Sequence, residues 1–194
     1  WRVVDLDEMK RFFRRPVEYF FRKRVGILLE GQPVMLDRCE PFVVNALDEY
    51  QLKQELLAAW LEGKDLDTYR ESVLARGMLP PGKMGDQWFH QLIAKVECFG
   101  KTLSPHIKDN PLDSLAVELQ LGPFSLRGGL DGFWPQYLVR YRCAKLTSKD
   151  RLVMWIDHLV MNCVGTIEFP RQSLLAGSDK VVTYRAVQDC YSRL

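Results

Sequence analysis

Near Pro111 the apolar residues change their period, and no other feature of the chain constrains its fold as tightly. Upstream they recur every three or four residues, the spacing of one helix face; downstream they alternate, the spacing of one strand face. In DLDEMKRFFRRPVEYFFRKRV the helical spacing runs through Leu6, Met9, Phe12, Phe13, Val17, Phe20 and Phe21, with Asp5 as N-cap. Pro16 lacks the N–H that a helix interior needs, so two short helices are predicted, meeting at Arg15-Pro16. Residues 25–44 mix short β-rich runs with Gly26, Gly31, Pro33 and Pro41, the pattern of irregular structure or a small hairpin. NALDEYQLKQELLAAWLEG predicts a helix capped by Asn45 and stopped by Gly63, DLDTYRESVLARG a shorter one, and the segment after Pro80-Pro81-Gly82 a helix from about Gly85 to Phe99.

Beyond Pro111, LAVELQLG, FSLRGGLDGF and QYLVRYRCAKL read as three strands of a meander, divided by Gly-Pro and Trp-Pro turns. SKDRLVMWIDHLVMNCVG returns to helical spacing, with Leu152, Trp155, Ile156 and Leu159 on one stripe. GTIEFP and DKVVTYR read as two short strands around a Gly-Ser turn, and AVQDCYSRL begins a helix. Helices, then strands, then a helix packed across them give an α/β chain of the α+β or mixed kind. At 194 residues one domain is expected, mainly helical over 1–110 and carrying the meander, a helix and a sheet edge over 111–194.

Composition bounds the function. With 47% apolar and 27% charged residues and no apolar run near the roughly 18–20 residues that span a bilayer, the chain reads as globular, with no membrane partner. It opens on Trp1 without a basic leader or a small-residue cleavage site, which reads as an excised piece of a longer chain without an export signal. Five scattered cysteines without CxxC or CxH spacing suggest neither a zinc site nor a disulfide framework, and fit the reducing cytoplasm. Phosphate-binding glycine loops and the G-x-S-x-G elbow are absent from the sequence, so ATP, dinucleotide and serine-hydrolase chemistry are unsupported; no cofactor is expected. A net charge of +2 does not itself call for a polyanion, but Arg11, Arg14, Arg15, Arg22, Lys23 and Arg24 crowd 14 residues. They make either a solvated face or a phosphate-contacting patch.

The opening RFFRRPVEYFFRKRVGILL, the segment EPFVVNALDEYQLKQELL and the run GGLDGF…YRCAKLTSKDRLVMWIDHL resemble the C-terminal domain of the RecC family, the gamma subunits of exodeoxyribonuclease V. That resemblance implies an inactive fold of the PD-(D/E)xK nuclease type, a central mixed sheet flanked by helices. It also implies a non-enzymatic domain within a RecBCD helicase–nuclease for double-strand-break repair and recombination, with RecB, RecD and DNA as partners. In active nucleases of that type two carboxylates on adjacent strands hold Mg²⁺, the metal acidifies a water, and a lysine positions it.

Against that pattern Asp131 in Gly-Leu-Asp falls on the first carboxylate position, while Arg140-Tyr141-Arg142 stands where Asp-Tyr-Lys is needed. A cation facing a cation at ~4 Å costs about 1 kcal/mol in water and about 4 at an effective dielectric near 20, so Arg140 opposes a metal and is free to pair with Asp131 instead. Glu118 is the other acid expected near the hairpin. Active relatives place a histidine four residues after a glycine in the preceding helix. Here Gly85 leads to Phe89, and His90 lies one residue on, ~100° round the helix. His158 is not oriented by adjacent Asp157 and reads, with Trp155, as a helix-surface or partner-facing residue. The degenerate set is therefore Asp131, Arg140, Tyr141, Arg142, Glu118 and His90, with no metal. Two rival functions are a metal-dependent DNase using migrated ligands (Asp131, Glu118, His90) and a protein-interaction module without DNA contact.

Overall fold

A computed structural model describes residues 2–27, 44–80, 82–164 and 168–194. The predicted irregular segment 25–44 lies largely outside these residues, as does Cys39. The described residues belong to two compact units, one within Trp1–Gln32, His106–Tyr141 and Leu146–Leu194, the other within Pro33–Pro105 and Arg142–Lys145. The architecture is mixed α/β with two small mixed sheets.

In the first unit, strand β1 (Val3–Asp5) runs into helix α1 (Leu6–Arg14). The Asp5 carboxylate accepts from Asp7 N at 2.9 Å and Glu8 N at 3.0 Å, an N-cap of the kind worth ~1 kcal/mol. Arg15 leaves helical geometry at φ −148° and Pro16 opens helix α2 (Pro16–Phe20), as its missing N–H permits. The chain then widens into a π-helical turn, Phe21–Val25, closed by Gly26 in the left-handed conformation at φ 73°. Of the apolar positions along this arm only Leu6 is buried; Phe12, Phe13, Val17 and Phe20 are exposed.

Strand β2 (Leu115–Leu121) and strand β3 (Phe124–Leu130) form an antiparallel hairpin, and β1 joins the other edge of β3 in parallel, pairing Val3 with Ser125. Leu115, Val117 and Leu119 face inward from β2, Leu126 and Leu130 from β3. Between the last two sits Gly128, where a Cβ would lie 2.8 Å from that of Leu6, so the missing side chain lets α1 close on the sheet.

The predicted three-strand meander is corrected here. Strand β4 (Leu138–Tyr141) pairs not with β3 but in parallel with strand β5 (Ser173–Ala176), reached through helix α6 (Ser148–Val164), and β5 pairs antiparallel with strand β6 (Val181–Tyr184). Left-handed Gly132 (φ 75°) and the Trp134–Tyr137 turn leave only a single bridge, Phe133 to Leu138, between the end of the hairpin and β4. The fifth strand is Ser173–Ala176 rather than GTIEFP. Glu168–Pro170 lie in a turn, and residues 165–167 are outside the description. All four residues of β5 are buried, as befits a central strand. In α6 the expected stripe fails at Leu152, which is exposed, and the second half of the helix is buried on every side. A short helix α7 (Cys190–Arg193) follows, four residues after the start at Ala186 that the sequence predicts.

The second unit contains helix α3 (Ala46–Leu61), helix α4 (Tyr69–Ala75) and helix α5 (Lys83–Leu103). Asn45 caps α3 through Leu47 N and Asp48 N, and left-handed Gly63 closes it. Helix α5 outruns its predicted end at Phe99 by a full turn, because Gly100 continues the helix instead of stopping it. A Cβ at Gly100 would collide with the Trp60 ring, so this glycine serves helix packing.

Candidate functional site

Three chain segments of the first unit meet at one guanidinium. Arg140 Nη1 lies 2.8 Å from Asp131 Oδ1 and donates to the Asp131 carbonyl at 2.9 Å, while Nε donates to Asp157 Oδ2 at 3.2 Å. On its other side Asp157 is approached by Lys10 Nζ at 3.2 Å from Oδ1, an ionic contact without hydrogen-bond alignment. Lys10 in turn reaches Asp7 at 2.7 Å, and that hydrogen bond holds the Asp7 carboxyl below its ordinary range. Asp157 is 1% exposed and Asp131 83%, so the inner carboxylate depends on its two cations while the outer one is solvated. Gly132 makes room for this arrangement: a Cβ there would stand 2.6 Å from Arg140 Nη1. The network borders a cavity of about 310 Å³ lined by Asp7, Lys10, Arg11, Arg14, Arg140 and Asp157, with Val153.

The pairing of Asp131 with Arg140 anticipated from the sequence is present, through one terminal nitrogen and between segments that are not neighbouring strands. Glu118 goes elsewhere. It faces Arg127 across the hairpin and pairs with it at 2.8 Å. Tyr141 is partly exposed at the end of β4, while Arg142 belongs to the second unit, its guanidinium 5.1 Å from the Tyr50 ring centroid. His90 is also in the second unit, exposed on α5, its Nδ1 2.6 Å from Asp86 O, and Phe89 is fully buried.

The reading of His158 as a surface or partner-facing residue is corrected: it is fully buried. Its Nε2 donates to the Arg185 carbonyl at 3.0 Å, and in the neutral ring its Nδ1 accepts from the Ser173 hydroxyl at 2.7 Å. Burial lowers its pKa, partly offset by the Arg185 hydrogen bond. Trp155 is half-buried and stacks on the His158 ring at 5.5 Å. Asp157 accepts from Arg140 instead of orienting His158, as adjacency on a helix requires.

Sequence reasoning missed Asp157 as the acid of this site. The available signal was an acidic residue within a strongly apolar helix following an Arg-bearing strand. A divalent cation does not fit these residues, because the Arg140 guanidinium occupies the space between Asp131 and Asp157. Among the described residues no three His, Cys, Asp or Glu side chains gather to hold a metal. Cys143 and Cys163 are not activated. Burial raises Cys143, and burial together with neighbouring Cys190 pushes Cys163 up to about 12.

The basic cluster lies on the arm. Arg11, Arg14, Arg15, Arg22 and Lys23 surround a cavity of about 130 Å³ together with Glu18 and Tyr19; Arg24 lies outside it. Arg15 pairs with Glu18 at 2.8 Å, Lys23 with Glu8, and Arg14 stands 3.8 Å from Asp150. No described helix is long and apolar enough to cross a membrane.

The fold and site thus define a mixed α/β protein whose first unit holds an ion-pair network reaching from buried Asp157 to solvated Asp131. A model of the RecC C-terminal domain matches residues 1–193, and the chain belongs to that family. It is similar to the RecBCD enzyme subunit RecC of Escherichia coli strain K12, 27% identical over 164 residues, which covers 84% of this chain and 14% of that protein. The corresponding subunit of Buchnera aphidicola from Acyrthosiphon pisum is 19% identical over 183 residues, 94% of this chain and 16% of the relative. That of Haemophilus influenzae is 25% identical over 186 residues, 92% and 16% respectively. The chain spans about one-seventh of the length of these curated relatives.

Proposed function

We propose that this chain is a non-catalytic domain of PD-(D/E)xK nuclease type, residues 1–194 acting as one domain, that serves as scaffold and DNA-guiding module of a RecBCD-type helicase–nuclease. RecB, RecD and DNA are its partners, the setting is cytoplasmic, and the process is double-strand-break repair and recombination. The observation that carries this reading is the Arg140 guanidinium clamped between Asp131 and Asp157, where catalysis would need a second carboxylate and a divalent ion. A nuclease fold without its metal still offers phosphate contacts, and Arg11, Arg14, Arg15, Arg22, Lys23 and Arg24 supply them. The resemblance of the whole chain to RecC subunits supports the assignment of partners.

The test is a titration of Mg²⁺ and Mn²⁺ into the full-length protein, followed by incubation with single-stranded and blunt duplex DNA. No saturable metal binding near β3 and no cleavage are expected, together with DNA affinity that falls steeply with salt. Metal-dependent cleavage lost in Asp131→Asn would establish the DNase reading instead. Affinity for partner subunits with no measurable DNA binding at low salt would establish a protein-interaction module.

A further inference from the structure

The arm formed by α1, α2 and the π-helical turn combines three observations, of which the guiding role above draws only on the first, its basic charge. Residues 2–27 carry eight Lys or Arg against four Asp or Glu, whereas the whole chain is only +2, so the remainder is net negative and the positive field is concentrated here. Within the arm, Arg11 and Arg22 make no ion pair among the described residues, and both face the cavity of about 130 Å³ shared with Arg14, Arg15 and Lys23. That volume accommodates a phosphate group, and the cations round it outnumber the single lining carboxylate, Glu18.

The second observation is aromatic. Phe12, Phe13 and Phe20 are 42%, 46% and 53% exposed, an unusual placement for three phenylalanines within nine residues. They are not loose. Phe12 meets Phe13 edge to face at 5.3 Å and Tyr19 at 5.7 Å, and Phe20 meets Phe21 at 5.9 Å. Each ring is braced by another, so its ordering cost on binding a flat ligand is reduced. Third, the π-helical turn departs from α-helical phasing at Phe21–Val25, the segment that carries Arg22 and Lys23 to the cavity; such turns are rare and concentrate at functional positions.

We infer that this arm is a binding site for single-stranded DNA, with a backbone phosphate held in the Arg11–Arg22 cavity and neighbouring bases stacked on Phe12 and Phe20. The inference rests on the DNA-guiding role proposed above and specifies its ligand. Charge alone would accept any polyanion. The exposed, braced rings select for unstacked bases, because bases within a duplex already stack on one another and present only their edges.

The experiment uses the full-length protein and three probes: fluorescein-labelled dT20, a 20-base-pair blunt duplex, and heparin. Phe12→Leu combined with Phe20→Leu keeps apolar area but removes the π faces. It is expected to weaken dT20 binding at least about fivefold while heparin affinity stays within about twofold, and Phe12→Trp with Phe20→Trp restores dT20 affinity. Arg11→Glu with Arg22→Glu weakens all three probes and flattens the salt dependence. Photocrosslinking with a 5-iodo-deoxyuridine oligonucleotide gives a local readout, and adducts are expected on the peptide containing Phe12, Tyr19 or Phe20. Unchanged dT20 affinity in the leucine pair, together with adducts confined to other peptides, overturns the inference while leaving the guiding role intact. Absence of all DNA binding by the unaltered protein overturns both. Leucine variants that retain dT20 binding but release an acidic protein partner mark the arm as a protein-docking surface, and that result also overturns it.

Discussion

Helix α6 and the α1–α2 arm treat the inside and outside of the molecule in opposite ways. The second half of α6 buries His158 and Asn162 with hydrogen-bond partners and Asp157 between the cations of Arg140 and Lys10, whereas the arm exposes Phe12, Phe13, Val17 and Phe20. Burial of a polar group is tolerated when its hydrogen bonds are completed, and the partners here are supplied by β4, β5 and the chain after β6. An apolar face left exposed among the described residues has no such completion within them. The comparison therefore separates a helix whose polar groups are held by the rest of its unit from an arm whose rings are left uncovered among the described residues.

The comparison breaks first at Asp157. Asp157→Ala leaves Arg140 and Lys10 facing each other without their shared carboxylate, and a loss of about 3 kcal/mol is expected in urea unfolding. A loss below about 1 kcal/mol would show that the network is incidental. Next is Asn162, whose amide donates to the carbonyls of His158 and Arg171 and accepts from Val187 N. Asn162→Ala removes all three bonds, and a cost of about 2 kcal/mol is expected.

A smaller effect should appear on acidification. Because His158 has its pKa lowered by burial, the unfolded chain takes up the proton more readily than the folded one. Its contribution is complete above the ordinary value of 6.5 and is lost as pH falls from there toward the lower folded value. The urea midpoint should drop between pH 7.5 and 5.5, and His158→Gln should lessen that drop. The smallest effect belongs to the arm. Phe20→Ser is expected to change stability by less than about 0.5 kcal/mol, since the ring is half exposed. A melting shift equivalent to 2 kcal/mol would mean the ring is buried in the protein as it exists.

Much of this was legible in the sequence where a local rule applied. Asp5 and Asn45 as caps, the break at Pro16 and the switch to strands after Pro111 each depend on a few neighbouring residues, and each is found. The pairing of Asp131 with Arg140 was accessible because opposite charges stood where a nuclease motif needs two acids. Placement of β4 in the second sheet was not accessible, since alternation identifies a face but no neighbour, and β5 enters only after α6. The burial of His158 depends on Ser173 and Arg185, 15 and 27 residues distant, so helical spacing alone could not reveal it. Exposure of the arm was hidden for a related reason: periodicity marks an apolar face without saying whether the same chain covers it.

The parallel pairing of β1 with β3 also dictates an order of assembly during synthesis. Val3–Asp5 leave the ribosome well ahead of their partners Ser125–Arg127, which lie about 120 residues downstream. At about 5–20 residues per second the opening strand waits on the order of ten seconds with its neighbouring phenylalanines uncovered. Through that interval the dense arginines beside those rings are the charged flanks that oppose self-association of an apolar nascent segment.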